Sequence, residues 1–135
     1  MKKTLIISAL FIALSACQKE GPIGPAGNAN VKTSVHGVDR FAWQNAGGLL
    51  YLNIESANIT QAINNTGTVD VYLSDVSSSG PWVSMPYQKI ETGFFTNYVF
   101  YSTVGMVQIQ LSNSNASLPV VSDSLFFKLV AVSGQ

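Results

Sequence analysis

The chain has 135 residues, room for one domain of ordinary size and too few for two. Hydrophobic residues make up 47% and charged residues 10%, the opposite of the balance that keeps a chain disordered. A net charge of zero argues against a nucleic-acid partner held by a basic face, and one Cys and one His exclude an internal disulfide framework, a Cys-rich zinc site and a paired-His metal motif.

At the start, Met1-Lys2-Lys3 precedes an apolar run from Thr4 to Leu14, then Ser15-Ala16-Cys17. Positive charge followed by a short apolar run is the pattern of a secretory signal. The run falls short of the ~20 residues that span a bilayer. Leu14-Ser15-Ala16-Cys17 resembles the lipobox of bacterial lipoproteins. That resemblance implies a signal peptide over residues 1–16, cleavage before Cys17, thioether lipidation of the Cys17 sulfur and acylation of the new amine. The small residues at 15 and 16 suit a peptidase pocket, and only a thiol can carry the diacylglycerol. One acyl chain alone holds a protein to a membrane only marginally, at ~0.8 kcal/mol per buried methylene, whereas three make a permanent anchor. Loss of Lys2 and Lys3 leaves a mild negative balance, so membrane lipid is the expected partner through acylated Cys17 and not through charge.

Gln18-Lys19-Glu20 follows. Position 18 is not Asp, so the inner-membrane retention signal of enterobacterial lipoproteins is absent. Gln-Lys before an acidic residue is similar to the surface-export signal of Bacteroidetes lipoproteins, although Gly21 replaces the second acidic residue that is usual there. The expectation is an outer-membrane protein at the cell surface, with the periplasmic face as the alternative.

Gly21-Pro22-Ile23-Gly24-Pro25-Ala26-Gly27-Asn28-Ala29 repeats Gly at the collagen period. Three triplets are few for a triple helix, and the better reading is a polyproline-like spacer. At ~3.1 Å per residue, the stretch 21–29 within a tether of residues 17–30 would hold the following domain roughly 30 Å from the lipid.

From residue 31 to 135 the periodicity is two, which predicts strands. Leu50, Leu52 and Ile54 alternate with Tyr51, Asn53 and Glu55; Val69, Val71 and Leu73 alternate with Asp70, Tyr72 and Ser74. Val107, Ile109 and Leu111 alternate with Gln108 and Gln110; Leu125, Phe127 and Leu129 alternate with Phe126, Lys128 and Val130. Further runs are 31–37, 82–90 and 94–103. Pro86 marks 82–90 as an edge strand or a bulge. Residues 57–64 suit one helical turn capped by Asn58 or Thr60. About seven strands at this spacing predict an antiparallel β-sandwich, with a small open barrel as the alternative all-β architecture.

The stretch Val71-Tyr72-Leu73 through Trp82-Val83-Ser84-Met85-Pro86-Tyr87, with Gly105-Met106-Val107 and Phe127-Lys128-Leu129, widens the resemblance. With the lipobox and the Gly-Pro tether, the chain resembles a group of small Bacteroidetes lipoproteins often called collagen-like. Met85 stands where Leu is more usual there, and Lys128 where Arg is. The resemblance implies one β-domain and brings no established activity, so only Cys17 carries over as a functional residue.

Catalytic signals are weak. His36 with Asp39 and any Ser would be needed for a triad, but no Gly-x-Ser-x-Gly elbow is present, and His36 falls on the polar parity opposite Val31, Thr33 and Val35. Glu55, Asp70, Asp75, Glu91 and Asp123 are spread one per element, so spacing sets no carboxylate pair together. The expectation is a non-catalytic binding or structural module without metal or cofactor. A glycan-binding module is the alternative. Its candidate stacking rings are Trp43, Trp82 and Tyr87, which fall in or beside loops, and Tyr51, Tyr72 and Tyr98 lie on outward parities. A surface protein is the other partner expected. Asp123-Ser124-Leu125 resembles the motif that receives O-glycans in Bacteroidetes, which makes Ser124 a candidate acceptor.

Overall fold

In the computed structural model, which describes residues 30–134, two antiparallel sheets face each other. The expectations for Cys17, the signal peptide and the Gly-Pro tether lie outside the described residues. In chain order the strands are β1 (Val31–Val38), β2 (Gln44–Ala46), β3 (Leu49–Glu55), β4 (Thr68–Ser74), β5 (Val83–Ser84), β6 (Tyr87–Ile90), β7 (Phe95–Thr103), β8 (Met106–Asn113) and β9 (Leu125–Val132). A 3-10 turn (Arg40–Ala42) joins β1 to β2, and a short helix α1 (Gln61–Thr66) precedes β4. One sheet has the order β1-β9-β4-β5 and the other β2-β3-β8-β7-β6. Neither closes on itself, so the fold is a sandwich and not the alternative barrel.

The core follows the period-two runs. Leu50, Leu52 and Ile54 on β3 stand opposite Leu111, Ile109 and Val107 on β8, and Val71 and Leu73 on β4 stand opposite Leu129 and Phe127 on β9. All of these side chains are buried, and Val71, Val107, Ile109 and Phe127 are fully so. Full burial of each such residue contributes about 1.5–3 kcal/mol.

Loop chemistry explains the connections. Gly47 (φ +61°) and Gly48 (φ +94°) form the two-residue turn between β2 and β3, with Ala46 paired to Leu49. Two successive positive φ angles match the right-handed twist of a hairpin and favour Gly. In α1 the cap is Thr60 and not Asn58: Ile63 N–H donates to Thr60 Oγ1 at 3.3 Å. The helix buries Ile63 against the core.

Three expectations change. First, nine strands form instead of about seven, because β2 is an additional short strand and the run 82–90 divides at Met85-Pro86. Its two parts enter different sheets, β5 beside β4 and β6 beside β7, both at an edge. Buried Met85 marks the crossing, its N–H donating to the Val71 carbonyl at 2.9 Å. Second, the parity of β1 is reversed. His36 pairs with buried Phe127 and Ser34 with buried Leu129, so the polar residues share the core face while Val35 is 44% exposed. Third, Tyr98 is turned inward; it pairs with buried Leu111 and is only 8% exposed.

Candidate functional site

The three candidate stacking rings do not form one site. Trp43 follows the 3-10 turn, whose N-cap Asp39 accepts from Phe41 N–H at 2.9 Å. The indole packs edge-on against Phe127, with ring centres 6.2 Å apart at 64°, as part of the core. Its Nε1–H is buried and has no hydrogen-bond partner among the described residues. Trp82 lies on the other face of the same sheet. Lys128 alternates with Phe127 and so points outward, and its Nζ sits 4.8 Å from the ring centres of both Tyr72 and Trp82. A cation held between two ring faces is attracted by both quadrupoles. Trp43 and Trp82 are therefore separated by the thickness of a sheet.

Tyr87 belongs to a third place. It stands on the inner side of β6 and tilts against Tyr98, with centres 5.9 Å apart at 44°. Here the flank between edge strands β5 and β6 stays open, and a cleft of about 160 Å³ runs in between the sheets. Leu73, Val83 and Leu125 supply its apolar side. Asp75, Lys89, Ser122 and Asp123 supply its polar side. The segment 120–123 forms one wall and is tied back to the 3-10 turn by Arg40 Nη1–H, which donates to the Ser122 carbonyl at 3.3 Å.

Charge in the cleft is partly balanced. Lys89 Nζ pairs with Glu91 at 3.3 Å, and the hydrogen bond it donates to Glu91 holds the Lys89 ammonium above its ordinary range. Burial pushes the Tyr98 phenol up, with Glu91, Tyr87 and Asp75 adding to the rise and Lys89 opposing it. The Tyr98 hydroxyl thus stays protonated at neutral pH, and it has no hydrogen-bond partner among the described residues.

The cleft lies at one end of the fold. Val31 pairs with Val132 at the end where the chain enters, whereas Leu125 pairs with Val38 at the far end of the same ladder. Asp75 follows β4 at that far end too, next to the Ser74–Phe126 pair. An eight-residue ladder at ~3.3 Å per residue puts about 25 Å between chain entry and cleft.

Ser124 is exposed immediately before β9, with Asp123 beside it accepting from Ser122 Oγ at 3.1 Å. His36 Nε2 is 3.0 Å from Ser34 Oγ, while Asp39 caps the 3-10 turn, so no Ser-His-Asp array forms from these residues. Tyr51 and Tyr72 face outward as expected, Tyr51 donating to Gln44 Oε1 at 2.6 Å. Among the described residues no group of three His, Cys, Asp or Glu could hold a metal ion, and no helix is long and apolar enough to cross a membrane.

Sequence reasoning singled out Tyr87, placed Tyr98 on an outward parity, and missed Lys89 and the joining of Asp75 with Asp123. The available signal was the neighbouring Pro86, which marked a sheet edge and hence an open flank. No protein-family model, no curated protein and no solved structure matches the chain.

Proposed function

We propose that the chain is a lipid-anchored outer-membrane lipoprotein that displays its β-sandwich at the cell surface as a non-catalytic binding module. The observation that carries this reading is the agreement of four features in residues 1–17: the Lys pair, the short apolar run, the Leu-Ser-Ala-Cys box and the only Cys of the chain. The Gly-Pro repeat over residues 21–27 and the resemblance to collagen-like Bacteroidetes lipoproteins support it further. So does the distance between chain entry and cleft, which turns the cleft away from an anchor at Cys17.

Labelling with a palmitate analogue tests the anchor. The parent chain takes up label and partitions with membranes; Cys17→Ser abolishes uptake and leaves an unprocessed precursor. Uptake that survives Cys17→Ser refutes it. Protease treatment of intact cells tests exposure, with a periplasmic protein as control. Removal of the domain while the control survives supports the surface, and full protection moves the protein to the periplasmic face.

A glycan-binding role is the second reading. The cleft beside Tyr87 favours it over a purely structural role, and Trp43, packed on Phe127, drops out of the stacking set.

A further inference from the structure

We propose that the cleft between β5 and β6 is a binding site for a single pyranose ring, such as the terminal sugar of a glycan. The inference rests on the reading of the domain as a binding module and gives that module a site and a ligand class.

Size is the first argument. A closed cavity of ~150 Å³ holds benzene, and this cleft of about 160 Å³ is open at its mouth, so it takes one ring whose hydroxyls reach outward. Its mouth is marked by Val83, 41% exposed, and Val120, 88% exposed, apolar side chains left in solvent beside a buried floor.

Tyr98 offers a hydroxyl open to a ligand. Tyr98 is 8% exposed, lines the cleft, and has no hydrogen-bond partner among the described residues. The groups its oxygen responds to include Lys89, Asp75 and Tyr87, all three lining the same cleft. The Tyr98 oxygen still reaches solvent in the cleft, where a ligand hydroxyl can take the place of water.

The cleft lining mixes donors and acceptors. Asp75 and Asp123 accept hydrogen bonds, Lys89 donates, and the Tyr98 and Ser122 hydroxyls do either. A purely apolar ring would leave Tyr98 unpaired and strip water from carboxylates for nothing in return. An anion would meet two carboxylates, with the nearby ammonium already paired to Glu91. Hydroxyl groups both donate and accept, and a pyranose adds an apolar C–H face that fits Leu73 and the Tyr87 ring.

The test uses the purified full chain in detergent micelles and saturation-transfer NMR. The probes are the methyl glycosides of glucose, galactose, mannose and N-acetylglucosamine at about 10 mM, suited to a millimolar site. Cyclohexylmethanol serves as the ring without ring hydroxyls. At least one glycoside receives saturation and binds more tightly than cyclohexylmethanol. Tyr98→Phe weakens it ~10-fold, the loss of one buried hydrogen bond. Val83→Trp, an exposed edge position that blocks the mouth without touching the core, abolishes it. Trp82→Ala on the opposite face of the sheet leaves it unchanged. The proposal is overturned if no glycoside receives saturation, if cyclohexylmethanol binds as well, or if the signal survives Val83→Trp. Should Tyr98→Phe fail to fold, Val83→Trp decides alone. A chain lipidated at Cys17 that binds no glycoside sinks the cleft proposal only; an unlipidated chain that binds one sinks the anchor only.

Discussion

Gly67→Ala is expected to destabilise the domain although Gly67 has backbone angles that Ala adopts freely (φ −95°, ψ −165°). Gly67 ends α1, and its N–H donates to the Ile63 carbonyl at 2.8 Å. A Cβ there would lie inside van der Waals contact of the Val132 carbonyl oxygen, and 2.9 Å from both Cα and O of Ile63. Every colliding atom is backbone, so no side chain can swing away. The helix would have to lift off the end of β9, or the Thr68–Val132 pair would have to open. Overpacking of this kind costs about 1–3 kcal/mol. Against it stands a gain of about 0.4–1 kcal/mol, because Ala restricts the unfolded chain. Sterics win, with a net loss of about 1–2 kcal/mol, or a fall in Tm of ~5–10 °C for a domain of this size. Urea unfolding followed by far-UV circular dichroism measures the difference. An Ala variant as stable as the parent would show that helix and strand are not held together where Gly67 passes between them.

Four other outcomes follow from the same geometry. Gly48→Ala loses about 1 kcal/mol in urea unfolding, because φ +94° strains any side chain although the space is open, whereas Gly47→Asn at φ +61° is tolerated. Thr60→Ala removes the cap of α1 and costs about 1 kcal/mol by the same assay. Alkaline titration should show one late tyrosine. The folded pKa of Tyr98 is raised above the ordinary 10.0, so its contribution to stability is complete below pH 10 and is lost as pH rises through the folded value. Tyr98→Phe removes that loss from the stability–pH curve, leaving a residual of the same sign from Lys89, which Glu91 holds above 10.5. Intact-mass measurement of the chain from its native host tests Ser124: sugar-sized additions that vanish in Ser124→Ala identify it as the acceptor, and an unmodified mass excludes it.

The central strands were legible because each lies between two neighbours with one face against the opposite sheet. Alternation around Leu50–Ile54, Val69–Leu73, Val107–Leu111 and Leu125–Leu129 therefore reads directly as inside and outside. In β1 the same rule misled. It is an edge strand, and Lys32, Ser34 and His36 lie on its core-facing side while Val31 and Val35 point out. Inward polar groups on an edge discourage pairing with another chain, a use of polarity that local periodicity cannot distinguish from solvent exposure. In β7, apolar residues occur on both parities from Phe95 to Tyr101, so only the register with β8 decides that Tyr98 goes in. Asp75, Lys89 and Asp123 are far apart in sequence; they meet because β4, β6 and β9 end around the same open flank. Pro86 announced an edge, but that the chain changes sheets there depends on long-range pairing that no local pattern encodes.

The β1–β9 ladder also decides how the domain bears force. The chain enters at Val31, and the cleft opens at the opposite end of the ladder. Tension between a fixed N-terminus and something gripped in the cleft therefore runs along the strands. The eight paired residues are loaded in shear and must give way together. Pulling apart the two chain ends is different, because Asn30 and Ser133 lie side by side, joined by a 2.9 Å hydrogen bond from Ser133 N–H. That pull peels the ladder one pair at a time. The sandwich is mechanically stiff along the axis that joins chain entry to cleft and weak across it.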